Sequence, residues 1–272
     1  MTVPAGNIVV GIIEDLSPKD HQVKIRNRLL IWCLLWWRAI FAEFLSTMFL
    51  VLIGCMACIP SDEIHPHPPI YGALGFGFAV LFTVQAFGHI SGAHMNPCVS
   101  LTAVLWNKIS LSLGVAYVIA QCLGSIFGYG ILMQVSPTDL ISNGICTTQP
   151  HEKYTVLQTF GVELILTSSL IFLVCAIWDP LNSNSQGSIS LKFGFVVAGL
   201  SIAGGPLTGA SLNPARSLGP ALWTGVWTFH WVYWTGPLVA SMVVALFYKY
   251  TWLKPSLDVK DSAAYPLLAP GP

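Results

Sequence analysis

The chain contains 272 residues, of which 54% are hydrophobic and 9% are charged, and its 12 Lys and Arg residues balance 12 Asp and Glu residues. Because soluble domains contain about 25% charged residues, this composition argues against an ordinary soluble domain. It also excludes a disordered chain, which would combine high charge with low hydrophobicity. A net charge of zero excludes a nucleic-acid partner bound through a basic face. The composition, which includes 10 Trp and 8 Tyr residues, is typical of an integral membrane protein.

Long apolar runs follow one another along the chain. Each is long enough, or nearly so, for a helix that crosses about 30 Å of hydrocarbon, which takes about 20 residues. Strands of a membrane barrel would alternate apolar and polar residues, and these runs do not. We therefore predict an all-α membrane protein with six transmembrane helices. The runs cover roughly residues 29–59, 69–88, 111–135, 156–178, 191–206 and 229–252.

The distribution of lysine and arginine predicts the orientation. With an even number of spans both termini share one side, and ten of the twelve Lys and Arg residues fall in the tails or in connections on that side. The positive-inside rule then predicts cytoplasmic termini, and we expect the plasma membrane as the location. The predicted parts are a cytoplasmic N-terminal tail over 1–28, a membrane domain over 29–254 and a cytoplasmic C-terminal tail over 255–272.

The seven cysteines form no Cys/His cluster. Most lie inside apolar runs, and only Cys146 falls in a polar connection, so we expect no disulfide framework. No nucleophile–base pair and no metal-binding spacing occurs either. We therefore expect no catalytic residue, no metal and no cofactor.

The second half of the chain repeats the first. AEFLSTMFLVLIGC matches VELILTSSLIFLVC, which aligns Glu43 with Glu163, and HISGAHMNPCVSL matches PLTGASLNPARSL, which aligns Asn96 with Asn213. Each repeat holds three spans, and because three is odd the second copy must enter the membrane from the opposite face. The sequence therefore predicts an inverted repeat. The two repeats cover about 29–135 and about 156–252.

Each Asn-Pro motif is followed by a short apolar stretch, CVSLTAVLW or ARSLGPALW. The eleven residues from Asn to Trp make about 16 Å of helix, which is half a bilayer. Asn is a favoured N-cap, and Pro at the first helical position costs no hydrogen bond. We predict two re-entrant half-helices that begin at the membrane midplane and form a central constriction. Its residues would be Asn96, Pro97, Cys98, Asn213, Pro214 and Ala215.

Two half-helices that meet at the midplane have an electrostatic consequence. Each helix N-terminus carries about half a positive charge, so cations, including hydronium, are repelled there. The non-helical loops before the half-helices are tolerated at this depth only where they are buried or line a watery cavity. Their carbonyls predict a ladder of acceptors that suits a neutral, hydrogen-bonding solute. The ladder would comprise Gly92, Ala93, His94, Gly209, Ala210 and Ser211.

Three charged residues lie in or beside the repeated motifs within predicted membrane segments, where charge is costly. Arg216 lies one turn inside a half-helix, and we interpret it as a filter residue at the outer mouth. The alternative is an arginine that extends to the membrane surface. Glu43 and Glu163 are predicted to accept hydrogen bonds from the N–H groups of the re-entrant loops. The alternative for both is a proton-carrying role.

With these motifs the chain resembles the aquaporins of the major intrinsic protein family over roughly residues 36–252. The resemblance rests on AEF, SGAHMNPCVS, VEL, TGASLNPARS and HWVYWTGP. It implies homotetramers with one pore per subunit, surrounded by membrane lipid, and passive conduction of water or small neutral solutes. It also implies a selectivity filter and an apolar pore wall. The filter positions are Phe76, Ser201, Ala210 and Arg216, and the wall positions are Leu50, Val80, Leu170 and Val197.

The filter positions resemble those of the entomoglyceroporins, an insect branch that conducts glycerol and urea. Ser201 stands where a strictly water-selective member would have His, and a small hydroxyl widens the ring and removes a donor. Two positions depart from the pattern. Cys98 replaces the usual Ala of the first motif, and we expect it to pack rather than react. Typical glyceroporins carry Asp at the position of Ser217, and a serine there matches the water-channel pattern.

We therefore expect a passive channel whose partners are glycerol, urea and water. Three alternatives stay open. The first is a mainly water-selective channel. The second is a secondary transporter, which also uses inverted repeats. The third is a junctional or structural membrane protein on the same fold, with negligible permeability.

Overall fold

The computed structural model describes residues 21–60, 70–142, 144–185 and 187–253, and over these residues it contains helices and no strand. The described part holds eight α-helices and one short 3-10 helix, at Pro180–Ser185. The α-helices are α1 His21–Met56, α2 Ile70–Ser91, α3 Pro97–Leu105, α4 Leu111–Val135, α5 Val156–Trp178, α6 Ile189–Thr208, α7 Pro214–Thr224 and α8 Val232–Thr251.

The predicted spans are confirmed. Six helices are long and apolar enough to cross a membrane: Leu30–Met56 within α1, and the whole of α2, α4, α5, α6 and α8. Helix α1 begins at His21, inside the predicted N-terminal tail, because the segment HQVKIRNR contains no Gly or Pro to stop a helix from extending. The rest of that tail, and the whole of the C-terminal tail with its boundary, lie outside the described residues.

The chain divides into two units, Met1–Arg38 and Ala39–Pro272. The described part of the first unit is the N-terminal portion of α1, where the guanidinium of Arg38 lies 5.6 Å from the ring centroid of Trp37. The remainder of α1 and all other described helices belong to the second unit.

The second unit shows the predicted inverted repeat. In each repeat a pair of long helices is followed by a half-helix and another long helix, as α1–α4 and then α5–α8. Helices pack reciprocally across the repeats: half-helix α3 contacts α8, half-helix α7 contacts α4, and α2 contacts α6. This exchange of equivalent contacts is what a two-fold relation between the repeats requires.

Helices α2 and α6 approach closely where both carry glycine. A Cβ atom on Gly77 would lie 2.6 Å from the carbonyl oxygen of Gly194, and a Cβ atom on Gly194 would lie 2.9 Å from the carbonyl oxygen of Gly77. Small residues allow this approach between membrane helices, where close packing replaces the hydrophobic effect. The two glycines occupy equivalent positions of the two repeats, so this contact joins symmetry-related residues.

Large apolar side chains are exposed on the outside of the second unit, whereas several charged side chains are buried inside it. Leu111 and Leu157 are 70% and 79% exposed, whereas Glu43 and Glu163 are fully buried and Arg216 is 7% exposed. This distribution fits lipid around the helices and a polar path within them.

The expectation that no disulfide forms is wrong. Cys55, near the end of α1, is bonded to Cys146 in the connection between α4 and α5, with the two Cα atoms 5.4 Å apart. The two residues are 91 positions apart in sequence, and only the folded helices bring them together. Cys55 belongs to an apolar run, but it lies in the last turn of its helix, where a connection can reach it.

Candidate pore and its constrictions

The loops before α3 and α7 have the same backbone conformation. In each loop the glycine, the alanine that follows it and the residue before the asparagine all have positive φ. Such values cost about 1–3 kcal/mol for a residue other than glycine, so the loops must be held by other interactions. The angles are 90°, 46° and 52° at Gly92, Ala93 and Met95, and 81°, 46° and 53° at Gly209, Ala210 and Leu212.

A buried glutamate holds the first loop. Glu43 on α1 accepts hydrogen bonds from the backbone N–H groups of His94 and Met95, both at 2.8 Å. Ser91, at the end of α2, donates its hydroxyl to the same carboxylate, and Gln121 on α4 donates its amide. The carboxylate therefore fixes both the loop and the helices on either side of it.

A second glutamate does the same in the second loop. Glu163 on α5 accepts from the backbone N–H groups of Ser211 and Leu212, at 2.9 and 3.0 Å. Thr208, at the end of α6, donates its hydroxyl to Glu163 at 2.6 Å. The repeat seen in the sequence is thus also a repeat of hydrogen bonds. Neither glutamate lines the cavity described below.

Both half-helices begin at their asparagine, as the motif predicts. The side-chain oxygen of Asn96 accepts from the N–H of Cys98 at 2.9 Å. The side-chain oxygen of Asn213 accepts from the N–H groups of Ala215 and Arg216, at 3.0 and 3.2 Å. Each asparagine therefore caps its helix with its oxygen and turns its NH₂ group elsewhere.

The NH₂ groups connect the two repeats. Asn96 donates to the carbonyl oxygen of Leu212 at 2.9 Å, and Asn213 donates to that of Met95 at 2.7 Å. These bonds satisfy loop carbonyls, which need donors at this depth. Since an amide carries two N–H bonds, each asparagine keeps one for a solute.

One cavity of about 670 Å³ is lined by both repeats. The four filter residues, the four wall residues and both capping asparagines all line it, although they come from seven different helices and loops. Its lining includes Leu50, Phe76, Val80, Gly92, Ala93, His94, Asn96, Leu170, Val197, Ser201, Ala210, Ser211, Asn213 and Arg216. The remaining predicted site residues do not line it: Glu43, Pro97, Cys98, Glu163, Gly209, Pro214 and Ala215.

The carbonyl oxygens of the two loops include acceptors without a protein partner. No hydrogen bond between described residues uses the carbonyl oxygens of the six ladder residues, whereas the carbonyls on either side of them are occupied. Gly209 caps the end of α6. It was predicted as a ladder residue from the sequence, but it does not line the cavity. The others can accept from a solute that carries O–H or N–H groups.

At one end of the cavity Arg216 is held by two groups. Its Nη1 donates to the carbonyl oxygen of Cys146 at 2.7 Å. Its guanidinium carbon lies 4.5 Å from the ring centroid of Phe76, within the range of a cation–π contact. Sequence reasoning missed Cys146, because a backbone carbonyl in a connection leaves no signal in residue type.

At the other end the lining is more polar than the sequence indicated. His94 lies 3.1 Å from the hydroxyl of Ser100 through its Nδ1, and its ring packs against Trp178. Ser190 donates to the side chain of Gln85 at 3.0 Å, and both line the cavity. Gln85, Trp178 and Ser190 belong to no motif, so only their meeting in the fold identifies them.

Similarity to known proteins agrees with this geometry. Residues 32–248 match the family described as major intrinsic protein. The chain is 40% identical to aquaporin-4 of Mus musculus over 233 residues, which are 85% of this chain and 72% of the mouse protein. It is 39% identical to the lens fiber major intrinsic protein of Gallus gallus over 213 residues, which are 78% of this chain and 80% of that protein.

Among solved structures, the chain is similar to the aquaglyceroporin from Plasmodium falciparum. The TM-score is 0.70 at 28% identity, over 79% of this chain and 96% of that one. The inverted repeat, the two capped half-helices and these similarities lead to one conclusion. The chain belongs to the major intrinsic protein family, and it is a membrane channel for passive transport of water or small solutes rather than an enzyme.

Proposed function

We propose that this channel conducts glycerol, urea and water. The observation that carries the proposal is the set of residues at the Arg216 end of the cavity, where Phe76, Ser201 and Ala210 line the same space. Histidine is absent from this set. With serine in its place the aperture is wider, and one donor that would favour water is missing.

The filter has two chemically different sides. Phe76 and Ala210 are apolar, whereas Arg216 and the loop carbonyls offer donors and acceptors. Glycerol has a carbon edge and a hydroxyl edge, so it can replace the hydrogen bonds it loses to water while its carbons follow the apolar wall. An ion finds no such replacement, and burial of an unpaired charge is costly.

Exclusion of protons and cations is assigned to the central constriction. The N-termini of α3 and α7 meet there, and each N-terminus disfavours positive charge. One N–H of Asn96 and one N–H of Asn213 remain to donate to a solute. A water molecule between them therefore accepts two hydrogen bonds. A chain of waters whose orientation is fixed in this way does not relay a proton.

The similar proteins leave the solute open, because one is named an aquaporin and another an aquaglyceroporin. The resemblance to the entomoglyceroporins therefore stays part of the proposal. A mainly water-selective channel is the second candidate, favoured by Ser217. This residue is hydrogen-bonded to Thr148 at 2.9 Å and to Ser211 at 2.6 Å, and typical glyceroporins carry Asp there.

The assembly, location and boundaries belong to the same proposal. We place four subunits, each with its own pore, in the plasma membrane with both termini cytoplasmic. The membrane domain would cover 29–254, flanked by the two tails. A secondary transporter is disfavoured, because Glu43 and Glu163 are engaged by loop N–H groups and do not line the cavity.

The test replaces Ser201 by histidine and measures swelling of proteoliposomes. Ser201→His should lower glycerol permeability by about 10- to 200-fold, the discrimination that one group in a pocket provides, and should change water permeability little. Ser201→Ala is the control, since it removes the hydroxyl without adding bulk, and it should keep glycerol flux. Wild-type protein that conducts water but neither glycerol nor urea would contradict the proposal.

A further inference from the structure

The end of α1 contacts the Arg216 end of the cavity through two consecutive residues. Gly54 leaves room for the ring of Phe76, because a Cβ atom there would lie 2.5 Å from that ring. The next residue, Cys55, forms the disulfide with Cys146. One turn of one helix therefore supports two different walls of the filter.

Cys146 supplies both hydrogen-bond acceptors of the Arg216 guanidinium among the described residues. Its carbonyl oxygen accepts from Nη1 at 2.7 Å, and its sulfur lies 3.6 Å from Nη2. The other contact of the guanidinium is the face of Phe76. The position of the Cys146 backbone therefore decides where the arginine points its donors.

The backbone at Cys146 needs external support. Its φ of 67° lies in the left-handed region, which costs about 1–3 kcal/mol for a residue other than glycine. The residues on both sides are tethered, since Tyr129 donates to the carbonyl of Ile145 at 2.7 Å and Thr148 donates to Ser217 at 2.9 Å. The disulfide is the tether at Cys146 itself.

The disulfide and Arg216 have no counterparts at the symmetry-related positions. Glu43 aligns with Glu163, and the same offset of 120 residues aligns Cys55 with Cys175, which is a buried free thiol. Asn96 aligns with Asn213, and the same offset of 117 aligns Val99 with Arg216. The fold thus forms at the symmetry-related position, at Cys175 and Val99, with neither the bond nor the arginine.

We propose that the Cys55–Cys146 disulfide is a positioning element of the filter, and that breaking it changes which solutes pass. This inference rests on the proposed filter role of Arg216. Without the bond, the Cys146 carbonyl moves and the guanidinium samples orientations across the pore. Because glycerol and urea need the full aperture, their permeability falls more than that of water.

The first experiment reduces the wild-type protein in proteoliposomes with tris(2-carboxyethyl)phosphine on both sides. The S–S bond breaks and two S–H bonds form, while the phosphine takes the oxygen of a water molecule and becomes the phosphine oxide. We expect glycerol permeability to fall about three- to tenfold, the effect of losing one hydrogen bond. Water permeability should fall only about twofold. Oxidised glutathione, which accepts the electrons and protons of both thiols, should restore the original values.

Variants separate the disulfide from other effects of reduction. The double variant Cys55→Ser/Cys146→Ser should behave like reduced wild type and should not respond to the phosphine. Cys58→Ser is the matched control, because Cys58 is a free thiol one turn beyond Cys55. It should match wild type in both states.

Alkylation followed by mass spectrometry shows whether the bond is broken in each sample. If both thiols are alkylated and neither permeability has changed, the positioning role is refuted. If wild type never conducts glycerol or urea, the proposed solutes are wrong, and the disulfide is then judged by the water permeability alone. Failure to detect the bond in untreated protein also refutes the inference.

Discussion

At the scale of single residues, each charged side chain in the interior has a defined main-chain partner. Glu43 and Glu163 accept from loop N–H groups, and Arg216 donates to a loop carbonyl. In lipid an unsatisfied backbone group costs several kcal/mol, so irregular backbone needs such partners. The two carboxylates therefore stabilise the loops, whereas Arg216 also lines the cavity itself.

Glu163→Gln tests this role of the carboxylates. The N–H groups of Ser211 and Leu212 bond different oxygens of the carboxylate, and glutamine replaces one of these oxygens by an NH₂ group, which cannot accept. We expect a loss of about 1–3 kcal/mol of stability, the cost of one buried unsatisfied group. The midpoint of thermal unfolding in detergent should fall by about 2–4 °C per kcal/mol.

The control for this substitution is Glu152→Gln, because Glu152 is exposed in the connection before α5. Its unfolding midpoint should equal that of wild type. If Glu163→Gln also unfolds at the wild-type temperature, the carboxylate does not hold the loop.

At the scale of elements, the half-helices could be predicted because their signals are local. Asparagine before proline caps a helix at its first turn, and the length of the apolar stretch is that of half a bilayer. The contact between α2 and α6 has no comparable signal. Glycine occurs at many positions of this chain, and only the packed structure shows which glycines face a partner.

Gly194→Ala tests this contact. The added methyl group would lie 2.8 Å from the Cβ of Leu81 and 2.9 Å from the carbonyl oxygen of Gly77, so α2 and α6 must move apart. Overpacking of this kind costs about 1–3 kcal/mol. We expect a lower unfolding midpoint and reduced water permeability, because Val80 and Val197 on the same helices line the cavity.

Gly199→Ala on the same helix is the matched control, since no atom lies within 4 Å of the added group. Alanine has the higher helix propensity, so this variant should be as stable as wild type or more stable by up to about 1 kcal/mol. Equal destabilisation by both variants would mean that the loss arises in the helix itself rather than at the α2–α6 contact.

At the scale of the whole molecule, the repeat is symmetric in its backbone and asymmetric in its chemistry. The loops, caps and glutamates are duplicated, but the arginine and the disulfide have no counterparts at the symmetry-related positions. The duplicated parts place two helix N-termini at one point. The unduplicated parts give the cavity one charged end, which is where the solute would be selected.

The predicted orientation can be tested with epitope tags in intact cells. Tags at either terminus should bind antibody only after the membrane is permeabilised, because the Lys and Arg residues concentrate on that side. A tag within 61–69, in the connection between α1 and α2, should bind antibody without permeabilisation. Antibody binding to a terminal tag in intact cells would contradict the predicted orientation, because it would place that terminus outside the cell.

The sequence by itself determined the spans, the repeat, the half-helices and their caps. These follow from the length of apolar runs, from the odd number of spans in each repeat and from Asn-Pro at a helix start, all of which depend on neighbouring residues. Only the tertiary structure decided that Asn96 and Asn213 bond across the repeats, that Cys55 pairs with Cys146 and that Arg216 points at the Cys146 carbonyl. Those contacts join residues at least 70 positions apart, and residue type does not record which partner the fold will bring within reach.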